Sequence, residues 1–380
     1  DHRDLHSFPT RRSSDLIERL GRGLLLWRSM THWMGGMGII VLAIAILPLL
    51  GVGGMQLFRS EAPGPTKEKL RPRIRETAAT LWMVYVTLTA VQVFLLMLGG
   101  MDLFDAVCHS FATMATGGFS TRDASVGAFN SAYIDYVIIL FMFAAGANFS
   151  LHYHAFSGKL SGYFRSGEFR AYAAITVLAT LAVGAFLTAD SFYHGPLETL
   201  RKAAFQVVSV ITTTGFATAD FEGWPYAAQV ALLLLMFVGG CAGSTSGSIK
   251  VVRLILLVRY AYREIFRLVH PHAFAAVKLD GKVVHKDVLE SVGGFFVLYM
   301  AIFAAGSLTM AGLGLDPLTS ISSVATTLGN VGPGLGTVGP AENYHHIPTA
   351  GKILLSAFMI LGRLELYTVL VLIVPEFWKK

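Results

Sequence analysis

The sequence is short of charge and nearly without cysteine. Asp, Glu, Lys and Arg make up 14% of its 380 residues, and hydrophobic residues make up 54%. An average soluble domain carries about 25% charge, so these few charges cannot coat so much apolar surface. A soluble enzyme of two or three domains is excluded. Two cysteines, Cys108 and Cys241, cannot build a disulfide framework. Also lacking are a Walker A sequence, a G-x-G-x-x-G in strand-turn-helix context and any Ser/His/Asp group that the spans would assemble. The first residues, Asp1 to Ser13, contain no apolar h-region, so no secretory signal is read there. An enzyme reading fails on content, and the energy for any transport falls to gradients and membrane potential, worth ~2.3 kcal/mol per charge per 100 mV.

What is present is long apolar runs. They fall near residues 33–58, 77–101, 132–157, 171–189, 226–262, 291–313 and 350–375, each long enough for a ~30 Å hydrocarbon core. Between some of them lie shorter segments, at 103–115, 197–212 and 316–327, rich in small and hydroxyl residues. These read as re-entrant half-helices, which are tolerated at membrane depth only when buried in protein or lining a cavity. The fold class is therefore an all-α polytopic membrane protein.

Basic residues set the orientation, because Lys and Arg concentrate in cytoplasmic loops. Arg59, Lys67, Lys69, Arg71, Arg73 and Arg75 share one loop; Lys159, Arg165 and Arg170 a second; Lys250, Arg253, Arg259, Arg263, Arg267, Lys278, Lys282 and Lys286 a third; Lys379 and Lys380 close the chain. That places 19 of 30 basic residues on one side. The opposite loops carry Asp102, Asp123, Asp190, Asp220, Glu222 and Glu342. The formal charge of +6 is thus topological, and nucleic-acid binding is not implied, since the basic segments lack interleaved aromatics.

The order of long span, short segment and long span repeats, with similar endings at Ala115-Thr116-Gly117-Gly118-Phe119-Ser120, Thr213-Thr214-Gly215-Phe216-Ala217 and Thr327-Leu328-Gly329-Asn330-Val331-Gly332. A pore that dehydrates an alkali cation needs replacement oxygens, which backbone carbonyls of glycine-containing strands supply. Half-helix carboxyl ends pointing inward favour a cation as well. Candidate ion-binding residues are Thr116, Gly117, Gly118, Thr214, Gly215, Phe216, Leu328, Gly329 and Asn330, with the strands centred on Gly117, Gly215 and Gly329. The competing reading of one Thr-Gly pair, tight helix packing through small residues, gives way when the pattern occurs three times.

Each second span carries glycine: HWMGGMG at 32–38, FAAGANF at 143–149, FVGGCAG at 237–243 and ILGRLEL at 360–366. Counting the repeat back places a first glycine strand near residues 3–13, where the sequence is charged and has none. The expectation is a chain that starts inside its first unit. The organisation follows: 1–23 atypical, 24–58 the second helix of an incomplete repeat 1, 59–76 a cytoplasmic loop, 77–157 repeat 2, 158–170 a loop, 171–262 repeat 3 with an intramembrane loop at 239–250, 263–287 a loop and 288–380 repeat 4.

Gly239, Gly240, Gly243, Ser244, Thr245, Ser246 and Gly247 interrupt the span at 226–262, and so many glycines and hydroxyls cannot stay helical in lipid. A packing kink is the alternative. Arg363 lies within the last span, where an ionisable group is a functional candidate by default; the expectation is that it faces the pore and touches the glycine-rich loop, against a buried ion pair with another helix. Glu365 is two positions away and does not share its face. Asn148 is expected to hydrogen-bond between helices. His152 with His154, His270 with His272, and His345 with His346 lack the ligand set of a metal site.

These stretches, HWMGGMG onward to residue 70, ATGGFSTRD (115–123), ITTTGFATADF (211–221), GGCAGSTSGSIKVVR (239–253), TLGNVGPG (327–334) and LGRLELYTVL (361–370), resemble the Trk/Ktr/HKT superfamily of potassium-translocating membrane subunits, in its bacterial TrkH-type branch, from about Leu24 to the end. The resemblance implies four M1-P-M2 units (helix, half-helix with strand, helix) around a pseudo-fourfold pore in the bacterial inner membrane. It also implies K+ as the transported ion with no cofactor in this chain, a homodimer, a cytosolic nucleotide-binding (TrkA-like) regulatory subunit, and the glycine-rich loop as gate. The Pro63-Gly64-Pro65 turn is a candidate docking surface for that ring. A sodium-permeable or weakly selective cation pathway of the same superfamily, and a secondary transporter of another solute class, remain alternative readings.

Overall fold

The computed structural model describes residues 16–41, 70–193, 195–271, 276–364, 366–372 and 375–378. Expectations placed on residues 1–15, on the loop at 59–69 with Pro63-Gly64-Pro65, on His272, on Glu365 and on Lys379 and Lys380 lie outside these residues.

After a single turn at Leu16–Arg19, helix α1 spans Arg22–Val41. Three units of similar order follow. In the first, α2 (Leu70–Leu98) leads to the short α3 (Leu103–Met114), then to α4 (Ala132–Ala145) and α5 (Phe149–Phe156). The second has α6 (Gly167–Ala189), the short α7 (Pro196–Ile211), α8 (Tyr226–Leu235) and α9 (Val251–Val269). In the third, α10 (Lys286–Gly312) precedes the short α11 (Pro317–Gly329), α12 (Thr349–Leu364) and α13 (Leu366–Val371). A two-stranded hairpin, β1 (Lys278–Leu279) and β2 (Lys282–Val283), joins α9 to α10.

Among the described residues, Ala78–Leu98, Gly167–Ala189 and Lys286–Gly312 are long and apolar enough to cross a membrane alone. The three short helices are not. At 1.5 Å per residue, the 12 residues of α3 cover about 18 Å, well short of the ~30 Å hydrocarbon core. Their starts are chemically marked: the Asp102 side chain accepts from Asp105 N–H at 2.8 Å and Asp316 from Thr319 N–H at 3.0 Å, while Pro196 and Pro317 open α7 and α11. Such caps satisfy otherwise orphaned donors, and proline has none to lose.

Three expectations are corrected. The run at 132–157 is not one continuous helix: α4 and α5 meet at 104°. The break falls at Gly146-Ala147-Asn148, where Asn148 does not bridge helices but caps α5, its Oδ1 accepting from Ser150 N–H at 2.8 Å. Asparagine competes with the helical backbone in this way, which suits it to N-cap positions. Arg71, Arg73 and Arg75 belong to the first turns of α2 rather than to a loop: Pro72 falls in the first turn, where it removes no helical hydrogen bond, and Arg and Glu favour helix.

A recurring contact sets how the units pack. The Tyr85 hydroxyl of α2 donates to Trp33 O of α1 at 3.0 Å, and that of Tyr172 in α6 to Phe143 O of α4 at 3.1 Å. Each tyrosine lies beside the glycine where a second-span helix passes the foot of the following short helix. A Cβ on Gly36 would lie 2.8 Å from Ala115 Cα, and one on Gly146 would lie 2.8 Å from Thr212 Cγ2. The third short helix meets the second span at the same place, since a Cβ on Gly329 would lie 2.8 Å from Met236 O. Small residues here let backbones approach where water provides no driving force.

Candidate functional site: three strands and the loop beneath them

The three short helices end in the same staircase of backbone hydrogen bonds. Thr116 N–H donates to Thr113 O at 3.0 Å and Gly117 N–H to Ala112 O at 2.8 Å; Thr213 to Val210 at 3.0 Å and Thr214 to Ser209 at 2.8 Å; Asn330 to Thr327 at 3.2 Å and Val331 to Thr326 at 2.8 Å. The dihedrals agree. Thr116, Thr213 and Asn330 have φ of 51°, 55° and 57°, and two residues later Gly118, Gly215 and Gly332 have φ of 69°, 81° and 110°.

This fixes the register and corrects the sequence alignment. The strands centre on Gly118, Gly215 and Gly332, not on Gly117, Gly215 and Gly329. Leu328 and Gly329 are still helical, and a Cβ on Gly362 of α12 would overlap the Leu328 carbonyl oxygen. Matching Thr-x-Gly letters misled because the first left-handed position accepts Thr or Asn and so has no glycine to mark it.

Adjacent strands approach through these glycines. A Cβ on Gly118 would overlap the Thr214 carbonyl oxygen, and one on Gly215 would overlap that of Val331. Thr214 and Val331 are equivalent positions, so the two neighbouring pairs of strands meet with the same offset. Behind them, hydroxyls hold the backbone: Ser209 Oγ donates to Phe216 O at 2.7 Å and Ser322 Oγ to Leu335 O at 2.6 Å. Phe216 itself is fully buried, stacked at 5.8 Å from His109. In the first of the three strands the support is ionic: Asp105 accepts from Thr121 at 2.6 Å and from Arg122 at 2.8 Å.

Below the strands, the chain between α8 and α9 is unwound. Its base is closed by Gly239 N–H to Ile249 O at 2.8 Å and Val251 N–H to Gly240 O at 3.1 Å. Thr245 is the hub. Its carbonyl accepts from Thr116 Oγ1 and from Arg363 Nη1, each at 2.8 Å, and its hydroxyl reaches Met114 O at 3.0 Å and Ala145 O at 3.2 Å. Gly247 N–H donates to Thr213 Oγ1 at 2.6 Å, and Ser248 Oγ to Met236 O at 2.7 Å. Gly243 packs against the Asn148 side chain, and Gly240 against Gly146 O and Ser246. Ser244 Oγ turns back to Cys241 O at 2.6 Å. The loop thus touches equivalent threonines, Thr116 and Thr213, of two strands.

Arg363 reaches the loop as the sequence suggests, through Thr245. Thr213 stands in the repeated ending but not among the candidate ion-binding residues, although Thr116 does, because only the register makes the two equivalent. Thr214 bonds instead to Thr212 at 2.8 Å. Tyr85 and Tyr172 escape the sequence reading; the only signal for them is one tyrosine inside each first span.

His152 is a structural hydrogen-bonding residue, between Tyr163 OH at 2.6 Å and Ala144 O at 2.9 Å, and His346 meets Thr337 at 2.7 Å. Among the described residues no group of three His, Cys, Asp or Glu side chains is placed to hold a metal.

On the acidic face, burial pushes the Glu222 carboxyl up to about 7, with Asp220 and Glu342 adding like charge. A carboxyl whose folded pKa is raised favours folding when protonated, and that contribution is lost as pH rises from its ordinary value of 4.5 toward 7. Glu222→Gln is therefore expected to raise the detergent melting temperature more at pH 8 than at pH 5; an equal shift at both contradicts the assignment.

The sequence profile of the TrkH family, described as a cation transport protein, matches residues 10–380. The Trk system potassium uptake protein TrkH of Escherichia coli K12 is 46% identical over 366 residues, covering 96% of this chain and 75% of its own. TrkG of the same strain is 38% identical over 374 residues, with the same coverage. The crystal structure of the potassium transporter TrkH from Vibrio parahaemolyticus superposes with a TM-score of 0.85 at 41% identity, covering 95% of this chain and 74% of that one. Sequence, repeat and fold agree, and the chain belongs to the TrkH family of cation transport proteins.

Proposed function

We propose that this chain takes up potassium across the inner membrane through a channel-like path lined by carbonyls of the strands at Thr116–Gly118, Thr213–Gly215 and Asn330–Gly332, and gated by the loop at 239–250 together with Arg363. The chain is a multi-pass inner-membrane transporter rather than an enzyme. The observation that carries the reading is the equivalence of the three strands, in which each left-handed Thr or Asn is followed by a glycine with positive φ, and Gly118 and Gly215 each abut a carbonyl of the next strand. Such an array offers oxygens in place of hydration water. The short helices direct their carboxyl ends at it, the polarity that suits a cation. Anion or organic-acid transport would want amino ends there.

The units at 77–157, 171–262 and 288–380 are the repeats of this proposal. The transported ion is K+, with no cofactor held by this chain. The system pairs as a homodimer and carries a cytosolic nucleotide-binding (TrkA-like) ring, for which Lys278, Lys282 and Lys286 offer exposed positive charge beside the hairpin.

In a bacterium lacking its own potassium uptake systems, the chain should confer saturable rubidium influx that potassium suppresses and sodium barely affects. Equal suppression by sodium would replace this reading with a weakly selective pathway. Absent influx from protein verified in the membrane would refute it.

A further inference from the structure

Helix α9 begins without a cap of its own. Its first residue follows Lys250, whose side chain makes no capping bond to the helix's free donors and instead donates back to Ser246 O. The missing carboxylate comes from another helix. Glu168, the second residue of α6, is buried at 9% exposure, and its Oε1 accepts from Ala242 N–H at 2.6 Å. The Val252 N–H at the start of α9 and the Lys250 ammonium lie close enough to interact with the same carboxylate. Ala242 lies in the unwound segment and Val252 just past its end, so one side chain is bonded to the loop and faces the helix start beyond it. An anion at a helix N-terminus is also favoured by the aligned peptide dipoles.

The position of Glu168 is itself fixed from the cytosolic side. Its neighbour Gly167 donates its N–H to Asp280 Oδ1 at 2.9 Å. Asp280 and Gly281 form the tight turn of the β1–β2 hairpin, with φ of 47° and 80°, the geometry of a rigid two-residue connection. Arg259 of α9 bonds to Lys278 O of the same hairpin. The start of α6, the hairpin and α9 are thus one hydrogen-bonded unit, and Glu168 is its contact with the loop.

We infer that Glu168 is a positioning residue for the glycine-rich loop, holding Ala242 to the start of α6 so that the segment between Ala242 and α9 stays beneath the strands. The inference rests on the proposed reading of that loop as a gate. Without the clamp the loop leaves Thr116 and Thr213 more often, and conduction rises without a change in how the strands bind the ion.

The two native cysteines provide the test. Cys241 lies in the loop beside Ala242, Cys108 lies in α3, and both are buried. In purified full-length protein, Glu168→Ala should accelerate labelling of Cys241 by a membrane-permeant maleimide about fivefold or more and leave Cys108 unchanged, as expected for local rather than global opening. Glu168→Gln, which keeps the size and one acceptor oxygen but no charge, should fall between, and covers the case in which the alanine variant does not accumulate. In liposomes the same variants should raise maximal rubidium influx about threefold or more, with half-saturation within about twofold, as a shift of gate population predicts. Unchanged Cys241 labelling overturns the inference, as does equal acceleration at both thiols. Arg363→Ala separates the two levels: if it raises influx while Glu168→Ala alters neither labelling nor influx, the clamp is wrong and the gate stands; if neither variant alters influx although Cys241 opens, the gate reading is what fails.

Discussion

Gly118→Ala and Gly215→Ala should each reduce rubidium influx by about two orders of magnitude while leaving the protein in the membrane. Two costs add at these positions. The left-handed backbone, φ of 69° and 81°, disfavours a residue with a Cβ by roughly 1–2 kcal/mol. The larger cost is steric, because the new methyl would overlap the Thr214 or Val331 carbonyl oxygen. That oxygen belongs to the backbone of the next strand and has no rotamer in which to escape. Relief therefore comes only by turning the carbonyl or spreading the strands, and either change removes an oxygen from the proposed ion path. Oxygens arranged to replace a hydration shell lose their value when one is displaced, since the ion then pays for dehydration without compensation. Gly293→Ala, on α10 with open space around it, should leave influx as it is. Wild-type influx from Gly118→Ala would show that these carbonyls do not line the path.

The register is where sequence and structure part most usefully. The short helices are legible because their lengths are wrong for a span and their residues are small or hydroxyl-bearing. The unwound loop is legible because four glycines and four hydroxyl residues among the ten at 239–248 cannot remain helical in lipid. The centre of the last strand is not. Thr327-Leu328-Gly329 imitates Thr213-Thr214-Gly215 in letters, but the backbone turns left-handed one residue after Gly329, at Asn330. Hydrogen bonding to Thr326 and Thr327 decides that turn, and composition does not encode it. Asn148 is ambiguous for a related reason: an amide inside an apolar run serves equally to bridge two helices or to cap one, and only the 104° bend distinguishes the cases. Glu168 carries no signal in the sequence because it sits among basic residues at a helix start, where an acid looks like ordinary first-turn charge.

Arg363→Ala is expected to raise rubidium influx by about tenfold or more. The guanidinium acts on conduction in two ways of the same sign. First, on the proposed path it is a fixed positive charge facing a cation that leaves the strands. At roughly 8 Å and an effective dielectric constant of about 20, two unit charges repel by about 2 kcal/mol, enough by itself for more than a tenfold change in passage. Second, its Nη1 donates to Thr245 O at 2.8 Å, the same carbonyl that accepts from Thr116 Oγ1 at 2.8 Å. A charge-assisted bond of this kind is stronger than a neutral one, so removing it frees the centre of the loop from α12 while the Thr116 bond remains. Arg363→Lys distinguishes the two contributions. It keeps the charge and gives up the planar fork, so it should recover most of the barrier if repulsion dominates and little of it if the tie to Thr245 dominates. Thr245→Ala supplies the complementary measurement, because it removes the hydroxyl bonds to Met114 O and Ala145 O and leaves the carbonyl that Arg363 holds. Raised influx in Thr245→Ala together with near-wild-type influx in Arg363→Lys would make anchoring by the loop's own hydroxyl and repulsion by the arginine separate barriers in series. Influx unchanged in Arg363→Ala would remove this residue from the permeation path.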